Sequence, residues 1–168
     1  MLIGNKQTIA VEYELNENHG NAWMFGKICY WIDGTQVGDY ELGTSLRDVF
    51  SQLKYLVHDS GNRDGRGLCA LSPEEIFNTL DKALYSKTQN SDAELFDTPA
   101  RFEIGMQVDV FDQWKIFLID CSSYSIALFK MLKEKNVHFA RIPKGDFDNV
   151  IRELYYDLET IYESVATS

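Results

Sequence analysis

The hydrophobic period of this chain switches three times, and that order of switches limits the fold more than any other feature. Apolar residues recur at every second position up to about residue 40 and at helical spacing between 46 and 84. They return to every second position between 102 and 142, then to helical spacing toward the end. Blocks in this order fold as antiparallel sheet with helices laid on it, the α+β class. In the first block, Thr8 to Leu15 places Ile9, Val11, Tyr13 and Leu15 on one face and Thr8, Glu12 and Glu14 on the other, as in a half-buried strand. Ala22 to Ile32 is apolar on both faces and reads as a central strand. Asp33-Gly34 supplies two residues that tolerate positive φ, so a type I′ turn should return the chain as a third strand over Thr35 to Tyr40.

Thr44 or Ser45 can cap a first helix, which carries Leu46, Val49, Phe50, Leu53 and Val57 at helical spacing. A polar, glycine-rich loop from His58 to Gly67 follows. Ser72-Pro73-Glu74-Glu75 then predicts a sharp helix start: Ser72 at the N-cap, Pro73 at N1, and Glu75 reaching back to the cap. Its buried stripe is Ile76, Phe77, Leu80 and Leu84. Residues 86–100 are polar and read as a long exposed loop. Beyond it, Phe102, Ile104, Met106, Val108 and Val110 alternate with polar residues, predicting a strand with one wet face. Phe111-Asp112-Gln113 should turn that strand into Trp114 to Asp120, which is apolar on both faces. Ser123 to Met131 and Val137 to Ile142 read as a hairpin, with a helix over 124–135 as the competing reading. Asp146 is expected to cap a final helix that buries Phe147, Val150, Ile151, Leu154, Leu158, Ile161, Tyr162 and Val165. Its opposite face carries Asp148, Glu153, Asp157, Glu159 and Glu163. The expectation is one domain over residues 1–168: an antiparallel sheet of about seven strands with three helices packed on it.

At 168 residues, with 45% apolar residues, the chain is large enough to bury a proper core. Its 26 Asp and Glu against 16 Lys and Arg give a net charge of -10. That balance argues against direct nucleic-acid binding, which needs a basic surface for phosphate, and against docking on anionic membranes. No run of apolar residues is long enough to span a bilayer. The opening Met1-Leu-Ile-Gly-Asn-Lys has no apolar signal region. Three cysteines, Cys29, Cys69 and Cys121, form no CxxC pair and leave one unpaired in any disulfide scheme. Reduced thiols and a cytoplasmic location are the simplest expectation.

Motifs that carry chemistry are mostly missing. His19, His58 and His138 are widely separated and form no HExxH, so no metal site and no cofactor is expected. The loop Gly61-Asn-Arg-Asp-Gly-Arg-Gly lacks the Gly-Lys-Ser/Thr ending of a phosphate loop and follows a helix, so it reads as a flexible connection. Trp23, Trp31 and Trp114 read as core and sheet-face packing, since stacking platforms for bases need a basic groove beside them. The rival to a binding protein is a small cytosolic enzyme whose site assembles in space from Cys69, His58 and Asp64. It predicts a pocket with a perturbed thiol or imidazole.

Charge is patterned. Residues 92–129 sum to -5, 130–145 to +4 and 146–168 to -5. In the first of these blocks Asp92, Glu94, Asp97, Glu103, Asp109 and Asp112 fall on an expected loop, a wet strand face and a turn, surfaces that a partner can reach. The basic block, Lys130 to Lys144, reads as the outer face of an edge hairpin, where lysines discourage edge-to-edge pairing.

The stretch Trp23-Met24-Phe25-Gly26-Lys27-Ile28-Cys29-Tyr30-Trp31-Ile32, with Gly38-Asp39-Tyr40 and Gly43-Thr44-Ser45-Leu46-Arg47-Asp48, resembles the immunity protein 42 family. The opening Met1-Leu-Ile-Gly and the late Ile142-Pro143-Lys144-Gly145-Asp146-Phe147-Asp148 fit as well, so the resemblance spans nearly the whole chain. These strings are a strand, a turn and a helix start, and they carry no site residue across. The resemblance implies a protein that binds the C-terminal toxin domain of a polymorphic-toxin or contact-dependent inhibition effector and blocks it. Many such toxins are nucleases with basic clefts, which an acidic inhibitor can cover. The interface is expected on Asp92, Glu94, Asp97, Asp109 and Asp112, with Phe96 and Phe111 as exposed anchors. The acidic face of the final helix is a second candidate surface, and the protein is expected to be a monomer or weak dimer.

Overall fold

A computed structural model describes residues 1–65, 67–86 and 99–166. Among the described residues, eight strands are divided between two antiparallel sheets, and three helices pack on them, an α+β architecture. The first sheet holds β1 (Leu2–Gly4), β2 (Ile9–Leu15), β3 (Phe25–Ile32) and β4 (Thr35–Val37) in that order, with the short β5 (Thr44–Ser45) also on β3. Asp33 and Gly34 sit at φ 49° and 74°, so the β3–β4 turn has the positive φ values that its sequence predicts. Helices α1 (Leu46–His58) and α3 (Asp146–Ala166) lie against each other on one face of this sheet. The predicted alternation in β2 is the reason: Ile9, Val11 and Tyr13 are buried beneath them, and the Tyr13 hydroxyl donates to Asp157 on α3 at 3.1 Å.

The second sheet is β6 (Trp114–Asp120), β7 (Tyr124–Met131) and β8 (His138–Pro143). Its hairpin settles the strand-versus-helix choice over 124–131 in favour of the strand, paired in register from Tyr124–Pro143 to Phe129–His138. Both faces of this sheet are covered. Ile116, Leu118, Ala127 and Phe129 face the main core with α1 and α3. Phe117, Ile119, Ile126 and Leu128 face a second cluster under α2 (Pro73–Tyr85). That explains why β6 reads as apolar on both faces. The capping box of α2 forms as predicted: Glu75 N–H donates to Ser72 Oγ, and the Glu75 carboxylate accepts from Ser72 N–H at 2.9 Å.

Several expectations are corrected. The strand predicted over 102–110 is instead an extended segment between short 3-10 turns at Pro99–Phe102 and Asp109–Phe111, joined to β6 by a single bridge, Glu103–Phe117. Ile104, Met106, Val108 and Val110 are buried, so the alternation reported a burial face and not a ladder. A tight turn in which Val108 N–H donates to Met106 O breaks the extended run. The final helix is preceded by Gly145 at φ 87°, whose carbonyl accepts from Asn149 N–H at 3.0 Å, so Asp146 lies inside the first turn and not at the cap. Cys69 and Cys121 are joined by a disulfide with a Cα–Cα distance of 6.0 Å, leaving only Cys29 free. The short turn at Leu68–Ala70 packs on the end of β6 and brings the two within the normal span of such a bond, which corrects the expectation of reduced thiols.

The loop between α1 and α2 is no simple flexible connection. Arg63 is fully buried within it, paired to Asp148 of α3 at 2.7 Å and donating to Leu56 O at 2.9 Å. Its own carbonyl accepts from Asp120 N–H at 2.7 Å. One residue therefore ties α1, α3 and β6 together, the first two through its side chain and β6 through its carbonyl.

Candidate functional site

Of the residues expected at a partner interface, Asp92, Glu94, Phe96 and Asp97 lie outside the described residues. Asp109 and Asp112 are exposed, at the first position of the 3-10 turn and just after it. Phe111 lies in the core, 2% exposed, with its ring 5.0 Å from that of Tyr30 and against the α-carbon of Gly38, where a Cβ would sit 2.8 Å from it. The 3-10 turn rotates Phe111 inward while it holds Asp109 outward. The expectation of an exposed anchor at Phe111 is therefore corrected.

Asp109 lines an open cleft of about 820 Å³. One wall is the turn that precedes β3 and the start of that strand, with Trp23 and Phe25. The other is the 107–109 segment, and the N-terminal turns of α1 with Leu42 to Ser45 close the end. Trp23 is 50% exposed, Phe25 45% and Leu42 58%, and the two rings lie parallel with centroids 6.2 Å apart. Asp48 and Asp109 are the charged residues of the lining, and it holds no Lys or Arg. Lys27, next along β3, is matched by Glu41 at 2.6 Å, a hydrogen bond that raises the lysine pKa above its ordinary value. Arg47 lies over the Trp23 ring at 3.8 Å and bonds Asp48.

The exposure of Trp23 departs from the core packing expected of it. Trp31 keeps a sheet-face role, half-buried, donating through Nε1 to Glu12 at 2.7 Å beneath Lys6. Lys6 and then Trp31 hold the Glu12 carboxyl below its ordinary pKa against an opposing effect of burial. A signal for the exposure of Phe25 was present in the sequence: Lys27 shares its period-2 face, which marks that face as wetter than the run suggests.

The acidic face of α3 is partly committed inside the fold. Asp148 pairs with Arg63 and Asp157 accepts from Tyr13, while Glu153 and Glu163 are exposed. The enzyme constellation does not assemble. Asp64 and Cys69 line a second cleft of about 460 Å³ with Asp120, Cys121, Tyr124 and Lys144, but His58 is not among its lining residues and the Cys69 sulfur is bonded to Cys121. Among the described residues, no group of three His, Cys, Asp or Glu side chains is placed to hold a metal. Nor is any described helix long and apolar enough to cross a membrane.

The family match defines the class: this is an immunity protein, a non-enzymatic inhibitor that acts by binding a toxin protein. The family model of immunity protein 42 matches residues 1–157, and the chain belongs to that family. The crystal structure of CdiI from Burkholderia dolosa AUO158 is similar over 94% of this chain and 99% of its own, with a TM-score of 0.74 at 18% identity, a likeness of fold. No curated protein matches the chain.

Proposed function

We propose that this protein neutralises the C-terminal toxin domain of a cognate polymorphic-toxin or contact-dependent inhibition effector, that the domain is a basic nuclease, and that the complex forms in the cytoplasm. The observation that carries the nuclease reading is the charge: -10 overall, with -5 gathered in residues 92–129. A cleft built to hold phosphates presents a positive field, and carboxylates can occupy it in their place. Complementary charge raises association rates toward ~10⁸–10⁹ M⁻¹s⁻¹ at low salt, which suits an inhibitor that must act before damage accumulates. The interface residues of this proposal are Asp92, Glu94, Phe96, Asp97, Asp109 and Asp112.

The test uses the purified C-terminal toxin domain of the cognate effector, which is expected to be encoded beside this gene, incubated with DNA or RNA. The expected result is nucleic-acid cleavage that stops at one equivalent of this protein. A toxic domain that cleaves neither polymer would overturn the nuclease part. Reversing charge at Asp109 and Asp112 should lower affinity and flatten its salt dependence, and an unchanged salt slope would contradict the placement.

A further inference from the structure

The groove beside Asp109 has features of a prepared protein-docking surface. Exposed aromatic rings with a neighbouring arginine are the residue types that dominate binding hot spots. Trp23, Phe25 and Leu42 are gathered at one place, whereas Tyr55 and Tyr156 stand on helices away from this groove. The backbone around Trp23 is held in an unfavourable conformation. Asn21 and Met24 have φ 53° and 52°, left-handed values for residues that carry a Cβ, and Gly20 before them is at 68°. Such conformations persist only where surrounding structure holds them, and they gather at binding and switch sites. Here the consequence is visible: Met24 turns fully into the core, and Trp23 and Phe25 on either side are left outside.

Both walls are fastened to α1. Ser45 caps that helix by accepting from Asp48 N–H, and its hydroxyl also donates to Trp23 O at 3.0 Å. Leu46 N–H donates to Met24 O at 3.0 Å. Gly26 has no side chain, so Leu46 can lie against β3; a Cβ there would stand 2.7 Å from Leu46 Cδ1. On the opposite wall, Gln52 of α1 grips the backbone of Gln107 twice, accepting from its N–H at 2.6 Å and donating to its carbonyl at 2.9 Å. The rings and the Asp109 carboxylate are thus fixed in relation to each other before any partner arrives. Ordering of the site contributes little cost on binding.

We infer that this groove is the principal docking site for the toxin domain, and that it receives a lysine or arginine side chain of that domain. The inference rests on the toxin-binding function proposed above. The occupant follows from the charges: Asp48 is already paired with Arg47 at 3.0 Å, so Asp109 is the carboxylate of this lining that a basic side chain would meet, while the stem of that Lys or Arg packs on the apolar rings. Trp23 offers the incoming cation a ring face as well, in exchange with or beside Arg47.

The experiment measures binding of the adjacent effector's C-terminal domain to the wild type and to Trp23→Ala, Leu42→Ala, Asp109→Lys and, as a remote control, Tyr156→Ala. Circular dichroism melts confirm that each variant is folded. Trp23→Ala should weaken binding by about 30-fold or more, the ordinary size of a hot-spot loss. Asp109→Lys should weaken it by at least about tenfold at low salt, with the loss shrinking at high salt. Tyr156→Ala should stay within about twofold, as residues outside a hot spot do. Wild type that binds while the folded groove variants bind equally well overturns the groove and leaves the immunity function standing. Wild type that neither binds nor inhibits overturns both. A concentration-dependent dimer of the free protein, abolished by Trp23→Ala, would assign the groove to a second copy of this chain and overturn its assignment to the toxin.

Discussion

Replacing Arg63 by Met should be among the most damaging single changes in this fold, although the residue sits in a loop. Its guanidinium is fully buried and meets the Asp148 carboxylate at 2.7 Å and the Leu56 carbonyl at 2.9 Å. Asp148 is itself only 13% exposed, with its other oxygen accepting from Gly61 N–H at 2.9 Å. Met fills much of the same volume against Phe147 but leaves a buried carboxylate without its cation. Breaking one side of such a pair costs about 3–5 kcal/mol. A domain of this size loses about 2–4 °C of Tm per kcal/mol, so a drop of roughly 6–20 °C is expected. Urea unfolding followed by tryptophan fluorescence reads the change directly. The double variant Arg63→Met, Asp148→Leu removes both charges and should recover most of the loss, because the penalty belongs to the uncompensated carboxylate. A single variant within about 1 kcal/mol of wild type, or a double that costs the sum of two damaging singles, would refute the reasoning, since ordinary surface changes fall within about 0.5 kcal/mol.

Three further outcomes are expected. Denatured protein without reductant should show one thiol, Cys29, and three after reduction. Closing a loop with a sequence separation of 52 residues should stabilise the fold by about 4 kcal/mol in the chain-entropy account, so a reduced sample with an unchanged urea midpoint would contradict the bond. Stability should fall at alkaline pH. Burial first, and then neighbouring carboxylates, push the Tyr13 and Tyr40 hydroxyls and the Cys29 thiol up to about 12. The folded state therefore favours their neutral forms. Their contribution is complete below pH 9 and is lost as pH rises between about 9 and 12, the window between the ordinary and folded values. A flat urea midpoint across that window would count against the burial of these groups. At the acid end, Glu12 is held below its ordinary pKa by Lys6. Its stabilising contribution is present above pH 4.5 and should disappear as pH falls below that value, and Glu12→Gln should remove that part of the acid dependence.

Much of the framework was legible because local chemistry and tertiary packing agree. Asp33-Gly34, Ser72-Pro73-Glu74-Glu75 and the stripe from Phe147 to Leu158 each name one element, and each forms. The run over 102–110 misled because alternation records which side chains face the core, and an extended segment with one bridge satisfies that as well as a ladder does. Arg63 was hidden because a loop rich in glycine and charge looks solvated, and its partner Asp148 lies 85 residues away in sequence. The Cys69–Cys121 bond was hidden in the same way, since an odd cysteine count does not say which two meet. At the candidate site Asp109 is exposed, as expected of it, whereas Asp48 of the same lining was not singled out from the sequence. The exposure of Trp23 was not legible, because it depends on left-handed backbone at Met24, which that residue type does not announce. Phe111 failed for the converse reason: a single 3-10 turn decides whether an aromatic between Asp109 and Asp112 points in or out.

The most direct test of the central claim is growth. The C-terminal domain of the adjacent effector is expressed in a bacterium lacking the system, alone and together with this protein. The domain is expected to arrest growth, the wild-type protein to restore it, and the folded Trp23→Ala and Asp109→Lys variants to restore it poorly. A toxic domain that kills equally with and without this protein would contradict the account.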